Sequence, residues 1–335
     1  MTRYFAVGEQ TQLGTPTTPS HYIRVTEFNI AVDNQSIYPE LADTRYDVSP
    51  VLGAFKVTGS ITLPIELENI GYLFKFLFGS VTTSTIDGTT GVYEHIFAPV
   101  DFGGSIPVFT ASAGKDDVTE ETIVGACLNT MTLSAVVKEL LIASFEFGGV
   151  SAQLESLASP SFPSPDWIPY WKGVIEVDGS NDINIESFRI NYSNNINFDD
   201  AYRITRNNGR LPKEFAIGGV KVTIEFDARY KDTTYFQKVL GGTSPQESQN
   251  SASIKLDFIG KSVNLSSGTT HKRLTVYLPK VYFDTISSPV RSRDRLVVSV
   301  TATCVNGTAS VSKYSGTTDI NAPIVIYLRN KTSSY

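Results

Sequence analysis

Four carboxylates, Glu66, Glu146, Glu225 and Asp227, fall on predicted strand faces, and two carboxylates across a cleft are the machinery of glycoside hydrolysis. Their neighbours are mostly Thr and Ser, so the same positions also read as the wet face of a sheet. The three histidines, His21, His95 and His271, do not pair at a zinc-ligand spacing, and Cys127 and Cys304 complete no cluster. The two cysteines read as buried free thiols. Asp178-Gly179-Ser180-Asn181-Asp182 lacks the alternating oxygen ligands and closing Glu of a calcium loop and reads as a polar turn. No nucleophile elbow, phosphate loop or dinucleotide fingerprint follows a strand, and the glycine pairs at 148–149, 218–219 and 241–242 sit where turns or helix ends belong. No catalytic residue, metal or cofactor is expected.

Trp167 and Trp171 flank Pro169-Tyr170, a grouping that stacks on sugars or bases, or staples two halves of a chain together. Its place near the middle of the chain favours the staple. Five Asn-x-Ser/Thr sequences, at Asn34, Asn191, Asn264, Asn306 and Asn330, read as polar loops. The start Met1-Thr2-Arg3-Tyr4-Phe5 lacks the apolar core of a signal peptide, which places synthesis and residence in a cytoplasm.

The elements that would position these groups come twice. Phe28-Asn29-Ile30 returns as Phe188-Arg189-Ile190, and Tyr72-Leu73-Phe74-Lys75-Phe76-Leu77 returns as Tyr235-Phe236-Gln237-Lys238-Val239-Leu240. A strand with Phe55, Val57, Gly59, Ile61, Leu63 and Ile65 on one face carries Lys56, Thr58, Ser60, Thr62 and Glu66 on the other. Its counterpart points Val220, Val222, Ile224, Phe226 and Ala228 inward and Lys221, Thr223, Glu225 and Asp227 outward. Short helices at 69–78 and 232–240 follow, each ended by glycine. Further strands are expected at 92–98, 123–136, 139–147, 252–259, 272–283 and 296–305, with one more in Ala322–Leu328.

The spacing predicts a mainly β chain: an extended arm over residues 1–20, a first domain over 21–158, a Pro-rich linker over 159–171, a second domain over 172–310, and a carboxyl-terminal segment over 311–335. With 335 residues, 41% of them hydrophobic, the repeat favours two cores over one. Charge divides between the halves. Residues 1–165 hold 18 acidic and 7 basic residues, and 166–335 hold 16 acidic and 21 basic. Copies arranged head to tail would set an acidic half against a basic one. The loop with Asp33, Glu40, Asp43, Arg45 and Asp47 matches one with Asp199, Asp200, Arg203, Arg206, Arg210 and Lys213, which suggests contact between protein surfaces. A second basic run, Arg291, Arg293 and Arg295, likewise lacks the interleaved aromatics of a single-strand binder, and the net charge of -6 argues against wrapping DNA.

Gly8-Glu9-Gln10-Thr11 with Gly14-Thr15-Pro16, then a strand, a long loop, a Gly-x-Ile type strand and a short helix ended by Gly, resembles the tail tube proteins of long-tailed phages and related viruses, in the branch with two tube domains per chain. Ala322-Pro323-Ile324-Val325 with Arg329-Asn330 is similar to the ending of that branch. The resemblance implies two tandem β-sandwich or partial-barrel domains, each with one short helix. It implies a non-enzymatic tube of stacked rings, six domains around a channel that passes DNA, and so a trimer with pseudo-sixfold symmetry, or else a hexamer of double domains. Candidate channel-facing residues are Lys56, Thr58, Ser60, Thr62, Glu66, Lys221, Thr223, Glu225 and Asp227, whose carboxylates would repel phosphates. The resemblance also places the loops at 33–53 and 193–216, the arm and the carboxyl-terminal segment against neighbouring rings. It brings a tape-measure protein, tail terminator and tip proteins as partners, with transient passage of double-stranded DNA, no membrane span, and assembly of the virion tail in a host cytoplasm. Two alternatives stay open: a carbohydrate-binding or glycan-cleaving β-sandwich, and the tube of a contractile injection system.

Overall fold

The computed structural model describes residues 3–40, 43, 46, 48–101, 103–206, 209–290 and 295–335. The first half carries β1 (Tyr4–Glu9), β2 (His21–Ile23), β3 (Glu27–Asp33), β4 (Lys56–Pro64) and the helix α1 (Ile70–Phe78). It continues through β5 (Gly79–Asp87), β6 (Val92–Pro99), β7 (Phe109–Lys115), β8 (Thr119–Val136), β9 (Ile142–Gly149) and β10 (Ser151–Glu155). The second half holds β11 (Gly173–Val177), β12 (Ser180–Asn181), β13 (Ile185–Ser193), β14 (Lys221–Arg229) and α2 (Thr234–Leu240). After them come β15 (Ala252–Leu265), β16 (Gly268–Ser287), β17 (Val297–Cys304), β18 (Gly307–Lys313), β19 (Gly316–Ala322) and β20 (Val325–Asn330).

The fold is mainly β because most of these segments alternate. In β14, Val222, Ile224, Phe226 and Ala228 are buried while Lys221, Glu225 and Arg229 are exposed, so one face seeks a core and the other water. Two strands are long enough to serve two layers. β8 pairs through its first residues with β7 and β10, and from Cys127 onward with β9 and β13. β16 pairs first with β15 and β20, then from Val281 onward with β17.

One layer therefore runs β3-β4-β9-β8-β13-β14-β17-β16, antiparallel throughout. Behind it lie β2-β1-β7-β8-β10 and β12-β11-β15-β16-β20-β6-β5. The apolar faces meet in one continuous cluster that reaches from Phe5 to Leu328 and draws on both halves. The two cores expected from the repeat are thus one, because the β8–β13 and β6–β20 ladders join the halves edge to edge.

Several segments depart from expectation. Residues 4–9 are a buried strand between β2 and β7 rather than part of an arm, since Tyr4, Phe5, Ala6 and Val7 are covered on both faces and show no alternation. The expected boundary at residue 310 falls inside β18. The carboxyl-terminal strand is buried at all six positions between β6 and β16, so its edges are filled by its own chain and not left for a neighbouring ring.

The linker is extended and clasped from both sides. Arg24 donates to the Pro163 carbonyl at 2.8 Å and lies over the Phe162 ring, and Lys261 Nζ donates to the Pro165 carbonyl at 2.8 Å. The staple, however, is Ile168, fully buried, while Trp167 and Trp171 are 45% and 67% exposed. Bridges Glu66–Trp167 and Leu140–Pro169 hold this backbone.

Candidate assembly surface

The eight-strand layer has one dry and one wet face. On the dry face Val57, Ile61, Phe145, Met131, Leu133, Ile190, Ile224 and Val300 enter the core. On the wet face, the central rows across the sheet are runs of mostly polar side chains. Glu27, Thr62, Ser144, Thr132, Asn191, Thr223, Thr303 and Tyr282 stand in register from one edge to the other. Asn29, Ser60, Glu146, Thr130, Ser193 and Lys221 form the adjacent row, and Ser134, Arg189, Glu225 and Thr301 lie on the other side.

Neighbours in these rows bond to each other. Thr62 and Ser144 share a hydrogen bond of 2.9 Å, Thr132 donates to Asn191 Oδ1 at 3.1 Å, and Thr130 donates to Glu146 at 3.1 Å. Asp227 accepts from Ser187 at 2.8 Å and from Ser299 at 2.6 Å. Cross-strand polar pairs of this kind hold the sheet surface in one arrangement. Two of its cations stand beside acceptors: Lys56 meets Asp199 at 2.7 Å, and Arg189 stands opposite Glu225 in the register, whereas Lys221 is exposed.

Lys56, Thr58, Ser60, Thr62, Lys221, Thr223, Glu225 and Asp227 all lie on this one face. Glu66 does not. It sits past the end of β4, is 3% exposed, and is held by Arg24 at 2.7 Å, so it is a structural ion-pair residue rather than a surface carboxylate. Alternation past Pro64 suggested an outward side chain, but the strand has ended there and the chain turns toward α1. The strands β8, β9, β13 and β17 contribute as much wet face as β4 and β14; their alternating Thr, Ser and Asn was the signal for it.

Two open edges bound the layer. Among the described residues, β3 pairs only with β4, and 282–287 of β16 pair only with β17. Strand direction alternates across the eight strands, so the two edges run in opposite senses. In β3, Glu27, Asn29, Ala31, Val32 and Asp33 are exposed.

The two long loops lie beside this layer and touch. Arg210 donates to the Gly53 carbonyl at 2.7 Å and to Asn34 Oδ1 at 2.9 Å, while the Phe55 N–H donates to the Arg210 carbonyl at 2.8 Å. Arg203 pairs with Glu214, Asp199 and Asp200 lie in the short helical turn Phe198–Ala201, and Lys213 bonds through its backbone to Ala201. Part of the charge matching between the loops is therefore internal. Asp33, Glu40, Asp43 and Arg206 are exposed, and Arg45 and Asp47 lie outside the described residues, as do Arg291 and Arg293.

Elsewhere, groups with possible chemistry are packed away. Cys127 and Cys304 are free and buried, their thiol pKa values pushed up to about 12 by burial. His95 is buried with its ring nitrogens beside the Thr83 hydroxyl, the Asn330 side-chain oxygen and the Thr332 carbonyl, and desolvation lowers its pKa. Among the described residues no group of three or more His, Cys, Asp or Glu could hold a metal ion, and no helix is long and apolar enough to cross a membrane.

Comparison with curated proteins finds no match. A family model described as phage tail tube protein matches residues 2–316, nearly the whole chain. The chain belongs to the phage tail tube protein family, and its role is that of a structural component of a viral tail.

Proposed function

We propose that copies of this chain join side by side into rings that stack as the tail tube of a siphovirus-type virion, with the wet face of the eight-strand layer lining a channel for DNA. The observation that carries the reading is a polar, hydrogen-bonded sheet face ending in two open edges of opposite sense. Exposed edges are a liability in a monomer, and pairing them between copies closes the sheet into a barrel. Eight strands per chain means that three copies give a barrel of about 24 strands.

Within each chain two related tube units occupy adjacent places in the ring. Support comes from the order of pairing: β1 with β2 and β7 matches β11 with β12 and β15, and β10 beside β8 matches β20 beside β16. Threefold rings with pseudo-sixfold symmetry follow. A channel wall rich in Ser, Thr and Asn, with Lys56 and Arg189 set against carboxylates, gives DNA phosphates little to hold, so passage is without specific binding. The exposed loop residues Glu40, Asp43 and Arg206 face the next ring. A tape-measure protein occupies the channel before DNA, terminator and tip proteins close its ends, and assembly takes place in the host cytoplasm.

Mass photometry across a concentration series tests the reading. Trimers and their multiples are expected, and a monomer at every concentration would overturn it.

A further inference from the structure

The chain contains one completed side-by-side junction, where β13 lies on the second part of β8, and its details are repeated at the two open edges. At the completed junction Ser193 stands opposite Thr130, Tyr192 opposite Met131 and Asn191 opposite Thr132. Just beyond, Asn129 forms a bulge, the extra residue between Leu128 and Thr130 in the pairing with β9. The Asn129 carbonyl accepts from the Asn194 N–H at 2.9 Å, and its Oδ1 accepts from the Ile196 N–H at 2.9 Å. Asn194, 2% exposed, donates its Nδ2 to the Leu77 carbonyl at 2.9 Å and the Leu128 carbonyl at 3.4 Å. One amide thus locks the second half onto the helix end and strand of the first.

The open edge of β3 is built the same way as β13. Gln35 and Asn195 both take positive φ, 41° and 49°. The Gln35 N–H donates to Asp33 Oδ1 at 2.8 Å, as the Asn195 N–H donates to Ser193 Oγ at 3.0 Å. A Cβ on Gly53 would come within 2.1 Å of the Gln35 carbonyl oxygen, and one on Gly218 within 2.4 Å of that of Asn195, so both turns close against a glycine. Asn34 therefore holds the place of Asn194. Its Oδ1 is already fixed by Arg210, as that of Asn194 is fixed by the Tyr192 hydroxyl.

The other open edge matches β8. In β16 the pairing with β17 shifts between Phe283 and Thr285, leaving Asp284 as the extra residue where β8 has Asn129. Phe283 holds the place of Leu128, and Leu240, which ends the repeated Tyr-x-x-Lys-x-Leu segment, that of Leu77.

We infer that β3 of one copy adds antiparallel to residues 285–287 of a second copy, with Asp33 opposite Thr285, Val32 opposite Ile286 and Ala31 opposite Ser287. Asn34 then reaches the Leu240 and Phe283 carbonyls, and the bulge at Asp284 accepts the N–H groups of Asn34 and Ser36. Gln249 already donates to Phe283 and the Gln246 N–H to Leu240, but each carbonyl has a second lone pair to offer. Continuity with the internal junction selects a second copy as occupant of both edges. The inference rests on the side-by-side reading above and adds its register and its lock.

The test is a pair of double variants of the full chain, Ala31→Cys with Ser287→Cys and, two residues out of register, Ala31→Cys with Thr285→Cys, all at exposed positions. Each is oxidised mildly, run on a non-reducing gel, and imaged for rings. The in-register pair is expected to give covalent oligomers at least about tenfold more abundant than the other, because the template pair Thr132 and Asn191 is in side-chain contact. Rings without in-register cross-links, or equal cross-linking by both pairs, would overturn the register while leaving the ring reading intact; absence of both rings and cross-links would overturn both. Separately, Asn34→Ala is expected to raise the concentration needed for assembly about tenfold with the circular dichroism spectrum unchanged. Assembly at the parent concentration would overturn the lock.

Discussion

The helices α1 and α2 share a sequence pattern and a stop signal, yet α1 lies inside the molecule and α2 on it. Both end at a glycine in the left-handed region, Gly79 at φ 77° and Gly241 at φ 80°, so the local code is equally well obeyed. In α1, Leu73, Phe74, Phe76, Leu77 and Phe78 are all buried; in α2 no residue is, and Phe236 is 41% exposed. The two helices differ in the cover supplied by the chain beyond them. After α1 the chain builds β5 and β6, which pair with each other and, through β6, with β20, and which roof the helix, and Tyr335 packs over Gly71. After α2, residues 241–251 form only a loop. Equal local codes therefore give equal helices, and tertiary cover alone decides how much each contributes to stability.

The sharpest contrast is Phe74→Ala against Phe236→Ala. The first empties a fully buried ring position and is expected to lower unfolding free energy by about 3–5 kcal/mol in urea; the second is expected to cost under about 1 kcal/mol. Similar losses would mean that α2 is covered in the single chain.

Asn194→Ala and Asn34→Ala carry the same comparison to the junctions. Asn194→Ala removes a buried amide and leaves its backbone partners short, a loss of about 2–3 kcal/mol by urea denaturation. Asn34→Ala is expected to leave the unassembled chain within about 0.5 kcal/mol of the parent, since its site is exposed until a neighbour arrives.

The smallest effect depends on pH. Burial lowers the His95 pKa in the folded chain, so as pH falls through the unfolded value near 6.5 the unfolded state takes up a proton that the folded state refuses. Stability is full above that value and is lost progressively down to the lowered folded pKa, with a slope of at most about 1.4 kcal/mol per pH unit from this residue. Thermal unfolding midpoints from pH 7.5 to 5 should fall for the parent and fall less steeply for His95→Gln. An unchanged slope would remove His95 as the cause.

Much of this architecture is legible in the residues. Alternation in β4 and β14 gives the wet and dry faces, glycines end both helices, and the Phe-x-Ile and Tyr-x-x-Lys-x-Leu segments fall on β3 and β13 and on α1 and α2. What alternation cannot carry is partnership. A period of two says which way a side chain points and nothing about which strand lies beside it, so the β8–β13 and β6–β20 ladders that merge the halves into one core were out of reach. Strands covered on both faces hide as well: Tyr4–Val7 has no polar phase to betray it. Glu66 is drawn inward by its ion pair with Arg24, a contact between distant residues that alternation along β4 cannot reveal, and Trp167 and Trp171 stand exposed beside the buried Ile168.

Closure of several copies around the wet face of the eight-strand layer is tested most directly by electron cryomicroscopy of the assembled protein. Hollow tubes built of threefold rings are expected, with Thr62, Thr132, Asn191, Thr223 and Glu225 on the channel wall. A wall formed by the opposite side of the molecule, or particles in which β3 and the end of β16 stay unpaired, would contradict it.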